Sequence, residues 1–434
     1  PSDKSIGHRA LIANALACGE AVVELRHPGA DVLATADALR HLGVELAVRE
    51  GPDGRWTATI HGLATDGPER IGRVTLASAQ LDCRNSGTSL RLLSGVAAGQ
   101  EATFTLIGDE SLSRRPMERI AVPLRRMGAT VDTNDGRPPI SVVGRRPLRA
   151  LHHSLAVASA QVLGAISFAA LVAEGTTTVT TPAPTRDHTE RLLGWMGARI
   201  DRDGRTTTVR GPGGLRARSL VVPGDPSSAA FWLVAGAVHP DADLTIDGVS
   251  LNPTRTALID VLREMGASID MEPDALVDGP EPAGRLRVRS GERLRGITLH
   301  GDRVAELIDE LPILAVAMAT ATGRSELRDA AELRHKESDR ISLMVRNLDA
   351  IGAQVTETRD GWIISRGIPR NARIQTRGDH RIAMAFALAA VSGAAGTVEI
   401  DDPGCVAVSY ASFWEDLATV SAAAGIPSPS AVSV

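Results

Sequence analysis

Polar and apolar positions alternate along this chain in one recurring form. A short turn rich in Gly, Ser, Asp or Asn opens into a continuous apolar stretch, as in "DKSIGHRALIANALACG", "NSGTSLRLLSGVAAG", "SAQVLGAISFAALVAEG", "GDPSSAAFWLVAGAV", "IDELPILAVAMATATG" and "GDHRIAMAFALAAVSG". Each stretch is apolar on nearly all sides, which predicts a helix buried inside a domain rather than one lying on a surface. Each is expected to begin with capping residues. A second phrase recurs between them: "LRHLGVEL" at 39, "LRRMGATV" at 124, "LGWMGARI" at 193, "LREMGASI" at 262 and "LDAIGAQV" at 348. It reads as the end of an amphipathic helix, a glycine C-cap and a strand. The glycines, Gly43, Gly128, Gly197, Gly266 and Gly352, are spaced almost symmetrically about Gly197. Such self-similarity signals one structural unit used repeatedly. Short Thr/Val-rich strands such as "WTATIHG", "ATFTLIG" and "GWIISRG" fill the intervals.

Six buried helices over 434 residues predict an α/β (α+β) chain of two domains, with three repeats in each. The midpoint falls near "SLVVPGDPSS", residues 219–228. Residues 4–221 would form the first lobe, and residues 222–434 together with 1–3 the second. Helices running together with their N-termini at one end would sum their positive dipole ends and free N–H groups, which makes that end an anion site.

Composition narrows the function. The net charge of −5 argues against a general nucleic-acid binder, which would carry a basic surplus. It leaves room for small anionic substrates, because a cleft can be locally cationic on an acidic protein. No charge-free apolar run reaches membrane-spanning length, so no membrane partner is expected. Cys18, Cys83 and Cys405 are odd in number and far apart, which suggests neither a disulfide framework nor a zinc site and fits a reducing cytoplasm. The 11 His form no metal-binding helix pair, so no metal site is expected.

Of the 47 Lys+Arg residues only Lys4 and Lys336 are lysine. Compositional drift toward arginine explains why lysine is rare but not where it persists. A position that needs a compact point charge, or an amine that changes pKa, does not accept the planar arginine fork. Both lysines are therefore candidate functional residues.

The segments around them carry a resemblance. "DKSxxxR" (Lys4, Ser5, Arg9), "NSGTSxR" (Asn85 to Arg91), "GDESLSRRP", "SAQV", "TRDHTERLL", "VPGDxSSAAF", "LNPTRT", "IDELPILAVA", "LRHKESDRI" and "GDHRIAMAFALA" occur in one order across essentially the whole chain. Together they resemble the enolpyruvyl transferases, most closely the 5-enolpyruvylshikimate-3-phosphate synthases. The resemblance implies a two-domain inverse α/β barrel, each domain built from three βαβαββ repeats with buried parallel helices. It implies transfer of the carboxyvinyl group of phosphoenolpyruvate (PEP) to the 5-hydroxyl of shikimate 3-phosphate by addition and elimination, with release of phosphate. It also implies no cofactor and a monomer.

By the same resemblance, Lys4, Gly87, Arg115, Gln161, Arg340 and Arg381 would hold PEP. Ser5, Arg9, Ser159, Ala160, Gln161, Thr185, Arg186, Asp309 and Lys336 would hold the acceptor. Lys4, Asp309, Lys336 and Glu337 would be catalytic: Asp309 as base on the hydroxyl or to orient it, Glu337 as proton donor to the PEP methylene, Lys4 at the leaving phosphate. Each of these taken singly has a plain structural reading: Arg115 as a surface charge, Asp309 as a helix-start charge, Glu337 and Arg340 as a helix-face pair. His188 is expected to be structural or a helix cap.

Several positions depart from the family pattern. Ser2, Gly7, Arg84, Leu163 and Thr185 differ from the usual residues, and Val408 stands where some members carry lysine. These departures are expected in the loops around the substrates rather than in the core. They leave open an alternative acceptor, such as the sugar hydroxyl of a nucleoside monophosphate in secondary metabolism. A UDP-N-acetylglucosamine acceptor fits less well, since "GDESLSRRP" lacks the cysteine of that branch. A binding protein that has lost catalysis conflicts with the retained Lys4, Asp309, Lys336, Glu337 and Arg340.

Overall fold

A computed structural model describes residues 1–275, 279–423 and 432–433. The chain divides into two compact units, Ser2–Val222 with Asp278–Glu281, and Pro1 with Pro223–Val277 and Pro282–Val434. Ser2 and Asp3 therefore group with the first unit, and only Pro1 with the second. Local bonds explain this. Ser2 Oγ donates to the Val222 carbonyl at 2.8 Å and accepts from the Arg26 N–H at 3.0 Å, while Asp3 caps the next helix.

In the first unit three inner helices, Lys4–Leu16, Gly87–Ala98 and Ala160–Ala170, each lie on their own sheet. The sheets run, in strand order, Leu220–Val221, Glu20–Arg26, Arg55–His61, Glu45–Glu50; then Ser78–Asp82, Thr103–Ile107, Arg137–Val143, Thr130–Asn134; then Ile200–Asp203, Thr206–Gly211, Ala173–Thr180, Leu148–Arg149. Each sheet joins a parallel pair to antiparallel neighbours. Outer helices Ala30–His41, Glu118–Arg126 and His188–Trp195 precede the edge strands they pack on.

The second unit repeats the plan. Its inner helices are Pro226–Val238, Leu311–Thr320 and His380–Val391, and its sheets have three, four and three strands. Among the described residues the sheets stay separate rather than closing into one barrel. No helix among them is long and apolar enough to cross a membrane.

All six apolar stretches form helices buried along nearly their whole length. Small residues let them approach closely. A Cβ on Gly95 would lie 2.1 Å from the Ala165 carbonyl oxygen, so glycine is what allows the Gly87–Ala98 and Ala160–Ala170 helices to touch backbone to backbone. Asp3, Ser86, Ser159, Asp225 and Asp379 accept hydrogen bonds from first-turn N–H groups. The expectation of a capping residue fails at the fifth helix, where Glu310 makes no side-chain cap; Pro312 lies in its first turn and offers no N–H to cap. Gly43, Gly128, Gly197, Gly266 and Gly352 all take positive φ, from 85° to 106°, and end helices as their phrase predicts.

The departures from the family pattern sit differently from expectation. Gly7 and Leu163 are in the core and Ser2 is buried in the bonds just described. A Cβ on Gly7 would lie 2.8 Å from Leu25 Cδ2, so a neighbouring strand residue fills the room a side chain would need. These three are packing choices, not changes in a substrate loop.

Candidate active site

In the first unit the starts of the three inner helices are bonded together. Gln161 Nε2 donates to Thr88 Oγ1 at 2.8 Å, and Arg91 Nη1 donates to Gln161 Oε1. Arg9 donates from Nη1 to the Ser5 carbonyl at 2.8 Å, from Nη2 to the Ala160 carbonyl at 3.3 Å, and from Nε to Thr189 Oγ1 at 2.7 Å. Arg9 is 2% exposed and no carboxylate among the described residues lies within ion-pair distance of it. Burial pulls its pKa down to about 10, against the opposing influence of Glu190, Asp3 and Glu281. A buried cation held only by neutral oxygens is completed electrostatically by an anion.

Lys4, at the first position of its helix, pairs with Asp31 at 3.2 Å. Arg115 Nη2 donates to Asn85 Oδ1 at 3.1 Å, and Asn85 Nδ2 to Asp109 at 2.7 Å. Gly87 opens its helix beneath two guanidinium groups. A Cβ there would lie 2.9 Å from Arg91 Nη1 and 3.0 Å from Arg115 Nη1. Ser159 is engaged as the N-cap of the Ala160–Ala170 helix. Thr185 is buried with its Oγ1 bonded to nothing in the described structure, and its carbonyl accepts from Arg202 Nη2 at 3.0 Å. Arg186, half-buried, follows it. Lys4, Ser5, Arg9, Gly87, Arg115, Ser159, Ala160, Gln161, Thr185 and Arg186 thus all belong to this unit, most of them at the helix starts.

In the second unit the remaining candidates meet around Asp309. Lys336 Nζ lies 3.3 Å and Arg340 Nη1 3.8 Å from Asp309 Oδ1, and Arg381 Nη1 donates to the Asp309 carbonyl at 2.9 Å. Arg340 donates from Nη2 to Glu337 at 2.6 Å and from Nε to Asp379 at 2.8 Å. Both Arg340 and Asp379 are essentially without solvent exposure. Burial works against each charge, yet Asp379, Glu337 and Asp309 hold the Arg340 guanidinium more basic than usual. Burial likewise opposes the Asp379 charge, but Arg340 keeps that carboxyl below the ordinary carboxylate range. Arg340 Nη1 is buried and makes no hydrogen bond. It is a fixed donor with capacity to spare.

The chain matches the model of the family "EPSP synthase (3-phosphoshikimate 1-carboxyvinyltransferase)" over residues 1–417. The chain belongs to the EPSP synthase family. Relatives named 3-phosphoshikimate 1-carboxyvinyltransferase include one from Gloeobacter violaceus, 48% identical over 422 residues, covering 96% of this chain and 94% of that protein. One from Chloroflexus aurantiacus is 46% identical over 431 residues, covering 98% and 96%. The solved EPSP synthase of Acinetobacter baumannii matches with a TM-score of 0.80 and 40% identity over 96% of this chain and 93% of that one. The enolpyruvyl transferase NikO of Streptomyces tendae shares the fold, with a TM-score of 0.70, at 20% identity.

Sequence reading of this EPSP synthase family member misses the partners of its cations. Asp31, Asn85, Thr189 and Asp379 hold Lys4, Arg115, Arg9 and Arg340 in place. Asn85 and Asp379 lie inside quoted motifs and were open to detection there. Asp31 lies in an unmarked helix, and only folding brings it to Lys4.

Proposed function

We propose that the chain transfers the carboxyvinyl group of PEP to the 5-hydroxyl of shikimate 3-phosphate and releases phosphate. The observation that carries the reading is the pair of buried guanidinium groups, Arg9 and Arg340. Each is fixed by neighbours, and each is suited to an anionic partner. PEP brings a phosphate and a carboxylate, and so does the acceptor, which accounts for the number of fixed cations.

In this reading Lys4, Gly87, Arg115, Gln161, Arg340 and Arg381 hold PEP. Ser5, Arg9, Ser159, Ala160, Thr185 and Arg186 hold the acceptor's carboxylate and phosphate, and Asp309 and Lys336 orient its hydroxyl. Asp309 takes the hydroxyl proton as the acceptor oxygen bonds to C2 of PEP, while Glu337 gives a proton to C3. In the second step the bond from C2 to the phosphate oxygen breaks, the C3 proton returns to Glu337, and Lys4 neutralises the departing phosphate. Glu337 Oε2 accepts from Arg340 Nη2 at 2.6 Å. Capture of Arg340 by the PEP anion would compete with that bond.

The motive for another acceptor shrinks once Ser2, Gly7 and Leu163 are packing residues; Arg84 and Thr185 alone remain. The test is phosphate release from PEP with shikimate 3-phosphate, a nucleoside monophosphate or UDP-N-acetylglucosamine as acceptor. Turnover with shikimate 3-phosphate is expected. Silence there with turnover on a nucleotide overturns the reading.

A further inference from the structure

His188 is the first residue of the His188–Trp195 helix, and its Nδ1 lies 2.7 Å from Glu281 Oε1. Both side chains are almost completely enclosed, 1% and 3% exposed. Glu281 comes from far along the sequence, and the residues that follow it, from Pro282, group with the second unit. A carboxylate carried this far to a buried imidazole is costly unless the contact does something.

We propose that Glu281 is a positioning residue for the acceptor end of the site, acting through His188 on the segment from Thr185 to His188. The proposal rests on the acceptor reading above. The segment is held from two sides. Arg202 Nη2 binds the Thr185 carbonyl at 3.0 Å, and Glu281 binds His188 three residues on. Thr185 and Arg186, assigned to the acceptor phosphate, lie between the two anchors. The adjoining residue, Thr189, accepts from Arg9 Nε at 2.7 Å, so the same helix start also sets the group assigned to the acceptor carboxylate. Glu281 further helps keep the enclosed Arg9 guanidinium charged, offsetting part of the opposing effect of burial. The carboxylate is an acceptor only, so His188 donates through Nδ1–H. A glutamine at 281 retains an acceptor oxygen for that bond and loses only the charge.

The experiment is steady-state kinetics of wild type, Glu281→Gln, Glu281→Ala and His188→Ala, with melting temperatures alongside. Expected is a rise of roughly tenfold or more in KM for shikimate 3-phosphate in both alanine variants, with KM for PEP within about twofold of wild type. Glu281→Gln should fall between wild type and Glu281→Ala. The double alanine variant should be little worse than either single, because the two share the bond that is removed. If Glu281→Ala does not fold, Glu281→Gln and His188→Ala carry the test. An unchanged KM for shikimate 3-phosphate in folded variants, or equal rises for both substrates, overturns the proposal. A wild-type protein that neither binds nor turns over shikimate 3-phosphate defeats the functional reading and this proposal together.

Discussion

At the scale of single residues, the candidate site is a set of cations fixed before any substrate arrives. Gly87 shows how little room is left. A methyl group there would press on Arg91 and Arg115 at once. We expect Gly87→Ala to raise KM for PEP by about tenfold, while the melting temperature stays close to wild type because alanine suits a helix start better than glycine. Titrating the variant with PEP and following unfolding checks both halves. Lys4 is held by Asp31 through one contact at 3.2 Å, and its compact ammonium is the group assigned to the leaving phosphate. Lys4→Arg should therefore fold normally and lose kcat by roughly a hundredfold or more; near-normal turnover would remove Lys4 from the chemistry. The rarity of lysine marked this residue in the sequence. Nothing in the sequence marked Asp31, because the ion pair exists only once the Lys4–Leu16 and Ala30–His41 helices pack together.

At the scale of elements, a buried polar chain ties three helices of the first unit. His8 Nδ1 lies 2.7 Å from Thr35 Oγ1, Thr35 Oγ1 lies 2.7 Å from Ser89 Oγ, and Ser89 Oγ donates to Ser86 Oγ at 2.7 Å. Burial, then Lys4 and Arg9, hold the His8 pKa well below its ordinary value, with Asp3 opposing weakly. The folded state thus keeps His8 neutral where the unfolded chain begins to protonate it, near its ordinary value. The sign follows: His8 leaves stability unaffected above that value and lowers it as pH falls below it, by up to about 1.4 kcal/mol per pH unit until the folded-state pKa is reached. Urea unfolding between pH 7.5 and 5 should show a steeper loss for wild type than for His8→Gln. Parallel slopes would contradict this. The elements themselves were legible. Five repeated phrases gave five helix ends with left-handed glycines, because a C-cap glycine is a local requirement. The expected side-chain cap at Glu310 was not found, and Gly7 and Leu163 were expected in loops and lie in the core. At Gly7 the deciding neighbour, Leu25, lies on the following strand, whereas at Glu310 the decision is local, in Pro312.

At the scale of the whole molecule, each unit gathers one set of cationic groups, in the first mostly at the inner helix starts and in the second around Asp309. Ligands that bind only the folded state raise its stability by mass action, about 2.7 kcal/mol at a concentration one hundred times Kd. Shikimate 3-phosphate should raise the melting temperature of wild type, and Arg9→Met should abolish most of that rise. An equal rise in both would show that Arg9 does not bind the acceptor. High salt should weaken the effect less than for a surface site, since Arg9 is enclosed.

The sequence by itself determined the six buried helices, the helix ends at the repeated glycines and the family the chain belongs to. These follow from periodicity, capping chemistry and residue choice, which act over a few positions. The tertiary structure alone decided which carboxylate holds which cation, that Glu281 reaches His188, and that Ser2, Gly7 and Leu163 serve packing. Those facts depend on atoms brought within about 3 Å by packing of elements remote in the chain, and no local pattern records such meetings.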